Sequence, residues 1–226
     1  MRRRRTLRLL ACLLLLAVAA CGRDDSVSAR GDDGAAADPS GDATPTTVAA
    51  EQGDGVGTGP ITVSGVALAD LPSGGDDPAI GAAAPELRGI DLAGDEIEVV
   101  PGDDGPMIIA FLAHWCPHCQ AELPRIVAVS DDDGAIDGVP VVGVLTGSDP
   151  AAGNYPPSAW IEAEGFAGRT LLDSSREDGS LAASAYGLTS YPFLVVVDAD
   201  GRVAERHAGE LDEDGLVDLA ARIGDG

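Results

Sequence analysis

The sequence predicts an α/β fold in which a central mixed β-sheet is flanked by helices and follows a long disordered N-terminal extension. Three observations predict it. From about Ile80 onward strand-like and helix-like stretches alternate, which is the pattern of a layered α/β domain. Two stretches, PMIIAFLA (106–113) and VPVVGVL (139–145), are unbroken apolar runs, as expected of strands buried inside a sheet. The stretch FLVVVDADGRVAERHAG (193–209) carries the turn signal Asp200-Gly201 between two strand-like halves, so it forms a hairpin and brings antiparallel pairing into the sheet.

Each element has its own local reason. From Arg23 to about Asp77 the chain is Gly, Asp, Ala, Ser, Thr and Pro with few large apolar residues, too little to offset the entropy of ordering it, so residues 21–79 are expected to be a flexible acidic tether. Within it only GPITVSGVAL (59–68) has the character of a strand. After the 106–113 strand, CQAELPRIVAV (119–129) sets Leu123, Ile126 and Val127 on one helical face. Pro124 removes the hydrogen bond to the Gln120 carbonyl and predicts a kink there. PPSAWIEAEG (156–165) opens with prolines and closes with glycine, as helices do. RTLLD (169–173) is a short strand and SLAASAYG (180–187) a short helix stopped by glycine. The last helix is the plainest: Leu216, Leu219, Ala220 and Ile223 keep the helical spacing, and Asp212, Glu213 and Asp214 stand at its positive end.

Composition narrows the function. Aromatic residues make up only 4% of the 226 residues, so the core must be built from Val, Leu, Ile and Ala. All 14 basic residues are arginine, against 38 acids; a formal charge of -24 argues against a nucleic-acid partner, because phosphate binding needs a cationic surface. Nothing in the sequence signals haem, flavin, nucleotide or phosphate binding, and no cofactor is expected.

The start, MRRRRTLRLLACLLLLAVAAC, has a basic cluster, an apolar run too short to span a bilayer, and small residues before Cys21, the layout of a secretory signal over residues 1–20. Val18-Ala19-Ala20-Cys21 resembles the bacterial lipobox, which implies cleavage before Cys21 and a lipid anchor on it; the alternative is an ordinary signal cut near Ala20. The arginines are compatible with either the general or the twin-arginine export route. Removing residues 1–20 takes five arginines away and moves the charge from -24 to -29.

Of the four cysteines, Cys12 lies in the signal and Cys21 at the expected anchor, so Cys116 and Cys119 are left for chemistry. In HWCPHC (114–119) a buried strand runs into a turn that opens a helix, which places Cys116 at a helix N-terminus. Unpaired backbone N–H groups and the helix dipole favour a thiolate there. Cys119 lies one turn further in, near enough to close a ring with Cys116 but shielded. The expected roles follow: Cys116 attacks and Cys119 resolves.

Residues from about 80 to 224 resemble the thioredoxin-like fold and, within it, the exported thiol-disulfide oxidoreductases of the TlpA or redoxin type. The likeness rests on an ordered set: GAAAPEL (81–87) followed by DLAGDEIEV, the strand into WCPHC, the continuation CQAELP, and TSYPFLVVVDADGRV. It implies an 80–226 domain that exchanges a Cys116/Cys119 dithiol and disulfide with exported cysteine-containing proteins, re-set by a membrane redox partner, at the extracytoplasmic face of the cell membrane. It also implies a cis bond at Tyr191-Pro192, leaving the Tyr191 backbone open to a substrate strand; the plainer alternative is a trans proline starting a strand. Glu122 matches the acid that this family often carries after the second cysteine, and either moves a proton at Cys119 or is a solvated surface glutamate. Trp115 and Pro117 flank the reactive sulfur. His118 either supports the Cys116 thiolate or has no electronic role; CPHC resembles the DsbA tetrapeptide, while the whole domain resembles reductases, so the direction of exchange stays open. Thioredoxin's buried acid is replaced by Ala110. His114 and His207 are expected on the surface.

The alternative from another class is a metal-binding carrier of the same fold, with Cys116, Cys119 and a histidine holding copper or zinc. Tetrahedral zinc wants four ligands, which this set lacks. A peroxide reductase is disfavoured because Ala113 stands where the peroxidatic Thr or Ser is expected.

Overall fold

The computed structural model describes residues 57–225. The secretory signal, Cys21 and the tether up to residue 56 lie outside the described residues. Among the described residues nine strands and four α-helices follow in the order β1 (Thr62–Ser64), β2 (Glu86–Ile90), β3 (Glu96–Val99), β4 (Met107–Leu112), α1 (Pro117–Val129), β5 (Ala135–Ile136), β6 (Val139–Leu145), α2 (Pro157–Glu164), β7 (Arg169–Leu172), α3 (Leu181–Ala185), β8 (Phe193–Val197), β9 (Val203–Ala208) and α4 (Glu213–Ala221), with a 3-10 turn at Arg222–Asp225 after it. The central sheet runs β5-β6-β4-β8-β9, with β7 also paired to β6. β4, β6 and β7 are mutually parallel, whereas β8 and β9 are antiparallel to their neighbours, so the pairing is mixed as expected. A second sheet, β1-β2-β3, is wholly antiparallel.

All six residues of β4 are buried because both faces of the central sheet are covered. Alternation of side chains divides them. Met107, Ile109 and Phe111 join Leu87, Val99, Tyr186, Val195 and Val197 in one core. Ile108, Ala110 and Leu112 join Leu123, Ile126, Trp160, Leu216 and Leu219 in the other, which also contains both motif cysteines. In the first core Phe111 meets Tyr186 and Phe193 at ring separations of 5.2 and 6.1 Å.

One boundary differs from the sequence reading. The tether was expected to reach residue 79, but Leu68 and Ala79 are buried in the first core and β1 pairs with β2. The physical reason lies in β9. The Arg206 guanidinium grips Asp77 through two hydrogen bonds (2.9 and 2.6 Å) and donates to the carbonyls of Ala69 and Tyr186, both at 2.8 Å. A segment too polar to build its own core is thus held by hydrogen bonds to someone else's. Pro124 lies inside α1, which continues through it to Val129. No helix among the described residues is long and apolar enough to cross a membrane.

Candidate active site

The chain leaves β4 at Leu112 and turns at Ala113–Cys116, where the Cys116 N–H bonds back to the Ala113 carbonyl at 3.0 Å. Cys116 is the N-cap of α1, its extended backbone (φ -78°, ψ 120°) feeding Pro117 into the first helical position. Proline suits that position, since its missing N–H would have no partner there. No side chain caps this helix end, which leaves its first-turn N–H groups without a side-chain partner beside Cys116. The two cysteines are unbridged thiols. Cys116 keeps 6% of its surface exposed and Cys119 none, so the leading sulfur is the one a partner can reach. Burial pushes the Cys119 thiol well up, assisted by the nearby Cys116 and Glu122, and the Ala113 N–H donated to its Sγ at 3.4 Å only partly opposes this.

One turn on, Glu122 is fully buried, not a solvated surface residue. Burial raises its carboxyl to about 7; the Leu211 N–H (3.1 and 3.2 Å to its two oxygens) and Arg125 (3.4 Å) pull it down, and Glu210 pushes it up. A carboxyl poised near neutrality, behind a thiol that must lose a proton to react, has the protonation range of a general base. Ala110 is buried and paired across to Gly143 and Leu194, so no acid occupies the corresponding place on β4.

The other wall is aromatic. Trp115 meets Tyr191 edge to face at 5.8 Å, and its Nε1 donates to the Gly147 carbonyl at 2.7 Å. Gly147 has φ +62°, and a Cβ there would lie 2.8 Å from the Tyr191 hydroxyl, so the close approach and the left-handed backbone both call for glycine. Burial raises the Tyr191 phenol; its hydroxyl bonds to Thr146, which in turn donates to the buried Asp173 at 2.8 Å. Asp173 also accepts the N–H groups of Ala182 and Ala183 at the start of α3. The Tyr191-Pro192 bond is cis, as the resemblance implies. Among the described residues no backbone pair uses the N–H or carbonyl of Tyr191, since ladder pairing in β8 begins at Phe193.

His118 is exposed, and its Nδ1 donates to Glu210 at 2.6 Å. The same carboxylate accepts from Arg125 at 2.7 Å, so one acid ties the tetrapeptide to the residue beside Glu122. Two histidines differ from expectation. His114 is buried, donating from Nδ1 to the Gly153 carbonyl at 2.8 Å and accepting the Asp149 N–H at Nε2 (3.1 Å), because the 149–154 loop folds over it. His207 is half-buried, and its Nε2 lies inside without a hydrogen-bond partner. Among the described residues no three His, Cys, Asp or Glu side chains are grouped to hold a metal ion. Glu210, Thr146, Asp173 and Gly147 had no signal in the sequence, since each reaches the site from a distant part of the chain.

A thioredoxin-like sheet that presents a Cys-Pro-His-Cys pair at a helix N-terminus, one sulfur reachable and one shielded, defines a protein thiol-disulfide oxidoreductase. The chain belongs to the Redoxin family, whose match covers residues 79–221. It is 31% identical over 150 residues to the thiol:disulfide interchange protein DsbE homolog of Paracoccus denitrificans, covering 64% of this chain and 74% of that one. With the thiol:disulfide interchange protein HelX of Rhodobacter capsulatus it shares 28% identity over 140 residues, 59% of this chain and 70% of the other. A crystal structure of a thioredoxin-family thiol:disulfide interchange protein from Chlorobium tepidum superposes with a TM-score of 0.51 at 20% identity, over 66% of this chain and 99% of that one, a likeness of fold.

Proposed function

We propose that this oxidoreductase works outside the cytoplasm, tethered to the membrane through Cys21, and that its Cys116/Cys119 pair exchanges with the thiols and disulfides of exported proteins, re-set by a membrane redox partner. The observation that carries the proposed division of labour is the graded burial of the two sulfurs at the start of α1, with a buried carboxyl one turn behind them.

In the reducing direction the Cys116 thiolate attacks a substrate disulfide. One substrate sulfur leaves as a thiolate and takes up a proton, and the other becomes joined to Cys116. Glu122 then accepts the proton of Cys119, whose thiolate attacks the Cys116 sulfur; the Cys116–Cys119 bond forms and the second substrate thiol departs. Two electrons have passed from the pair to the substrate, and oxidation of a substrate dithiol is the same sequence run backwards. The unpaired Tyr191 backbone offers a strand-like edge on which the substrate chain can be aligned. Trp115 and Tyr191 form the apolar wall beside it.

Cys116→Ser is expected to abolish disulfide exchange, while Cys119→Ser accumulates a mixed disulfide visible on a non-reducing gel; equal residual turnover in both variants overturns the assigned roles. The reduction potential of the folded domain, measured against glutathione, gives the direction: a value near thioredoxin's makes it a donor, one near DsbA's an acceptor. For the tether, Cys21→Ala is expected to move the protein from the membrane fraction to a soluble extracytoplasmic one.

A further inference from the structure

We propose that Glu210 is a positioning residue for the exchange reaction: its carboxylate holds His118 of the tetrapeptide and Arg125 of the same helix at once, and so rations how much of the Arg125 charge reaches the proton acceptor Glu122. This inference rests on the proton role given to Glu122 above.

The geometry is that of a bridge with one arm on each side. Oε1 accepts the His118 Nδ1–H at 2.6 Å, and Oε2 accepts an Arg125 N–H at 2.7 Å. The Arg125 group that serves Glu210 also reaches Glu122, but only at 3.4 Å, and it donates to the Leu211 carbonyl at 3.2 Å. Arg125 is therefore shared unequally, with its shorter contact to Glu210. Position 210 sits in the turn between β9 and α4, and the next residue supplies the N–H that both Glu122 oxygens accept. The turn thus delivers a carboxylate to one end of the relay and an amide donor to the other.

The charged and titratable groups facing this relay are few. From α1 come His118, Cys119, Glu122 and Arg125. From the turn comes Glu210, and Asp212, Glu213 and Asp214, at the start of α4, line the same hollow as Arg125. β4 presents the apolar Ile108, Ala110 and Leu112 to this core. In such a setting Arg125, the one cation paired with Glu122 among the described residues, decides how readily that acid ionises, and Glu210 competes for it. Glu210 acts in two ways of the same sign. Its own charge disfavours a second carboxylate nearby, and its hold on Arg125 withholds the countercharge. Both keep Glu122 able to take up a proton near neutral pH.

The test is a pair of substitutions with opposite expected signs, read on the Glu122 side chain itself. Carbon-detected NMR titration of the Glu122 carboxyl in the reduced protein is expected to show its midpoint falling by about half a pH unit or more in Glu210→Gln, and rising in Arg125→Gln. The pH limb of Cys119 attack on a preformed Cys116 mixed disulfide is expected to move in the same two directions. Glu210→Asp, which keeps the charge, restores part of the native midpoint. The Glu210 side chain is 31% exposed and the Arg125 side chain 35%, so both variants are expected to fold, which an amide fingerprint spectrum checks. A Glu122 midpoint that does not move in Glu210→Gln, in a protein with the native spectrum, overturns the proposal. A midpoint that moves while the rate limb stays fixed instead overturns the proton role of Glu122 and leaves the electrostatic bridge standing.

Discussion

Glu122 keeps a carboxyl where the protein has otherwise placed Leu123, Ile126 and Leu216, and the few polar groups it meets do not compensate for its burial. Its folded value of about 7 stands above the ordinary 4.5, so between those two pH values the folded chain binds protons that the unfolded chain does not. By linkage, the stability this group contributes is fully present below about 4.5 and is lost as pH rises through 7. Glu122→Gln is expected to remove that slope, so that its unfolding midpoint in urea, relative to the wild type, improves from pH 5 to pH 8. The chemistry responds in the opposite sense. With the proton acceptor gone, Cys119 attack on the mixed disulfide is expected to slow by roughly a hundredfold and to lose its limb near pH 7. Stopped-flow release of a fluorescent thiol from Cys116 reads both quantities; a limb that persists in Glu122→Gln assigns it to another group.

Elements whose reasons are local were legible in the sequence, and those held by distant partners were not. The apolar run became β4 and the 139–145 run became β6 at its stated bounds. The Gly165 stop is a left-handed C-cap (φ 74°), and Asp200-Gly201 does turn the β8–β9 hairpin. The C-x-x-C pair stands out by its own spacing and Glu122 only by the resemblance, although all three lie within two turns of one helix. By contrast, β5 is only two residues long and exists because it pairs with the start of β6. His114 looked like a surface residue because the loop that buries it begins 35 residues later, and Glu210 stands 92 residues from the His118 it holds. The acids before α4 combine both cases. Asp212 was expected at the positive end of the helix, and its side chain is the N-cap, accepting the Gly215 N–H at 2.9 Å. Asp212→Ala is expected to cost about 1 kcal/mol of stability in urea titration, while Asp212→Asn, which keeps the acceptor, stays within a few tenths. If the alanine variant is as stable as the wild type, that cap carries no weight in holding α4.

At the scale of the whole domain, the question is how an acidic chain with 14 arginines uses them where they count. Among the described residues Arg88, Arg169, Arg176, Arg202 and Arg222 are exposed, but the Arg206 side chain is fully buried and makes four hydrogen bonds to three residues: two to Asp77 and one each to the carbonyls of Ala69 and Tyr186. It closes residues 69–77 over the end of α3, where Gly187 (φ +68°) leaves room that a Cβ would take from the Ala69 carbonyl at 2.2 Å. Arg206 also lowers the Asp77 carboxyl below its ordinary 3.8, so the stability this pair supplies is present above that pH and is lost as pH falls through the depressed value. A buried pair gains little over apolar packing but costs much to break, since removal of one partner strands the other charge. Arg206→Met is therefore expected to destabilise the domain by about 3 kcal/mol, whereas exposed Arg88, paired with Glu98 at the surface, is expected to cost less than about 1 kcal/mol as Arg88→Met. Hydrogen exchange separates the clamp from general loss of packing. In Arg206→Met the amides of Leu68 and Leu71, which bond to Ala185 and Gly187, are expected to exchange faster than those of β4 and β6. Equal acceleration throughout would mean that Arg206 supports the domain as a whole rather than fastening its N-terminal segment.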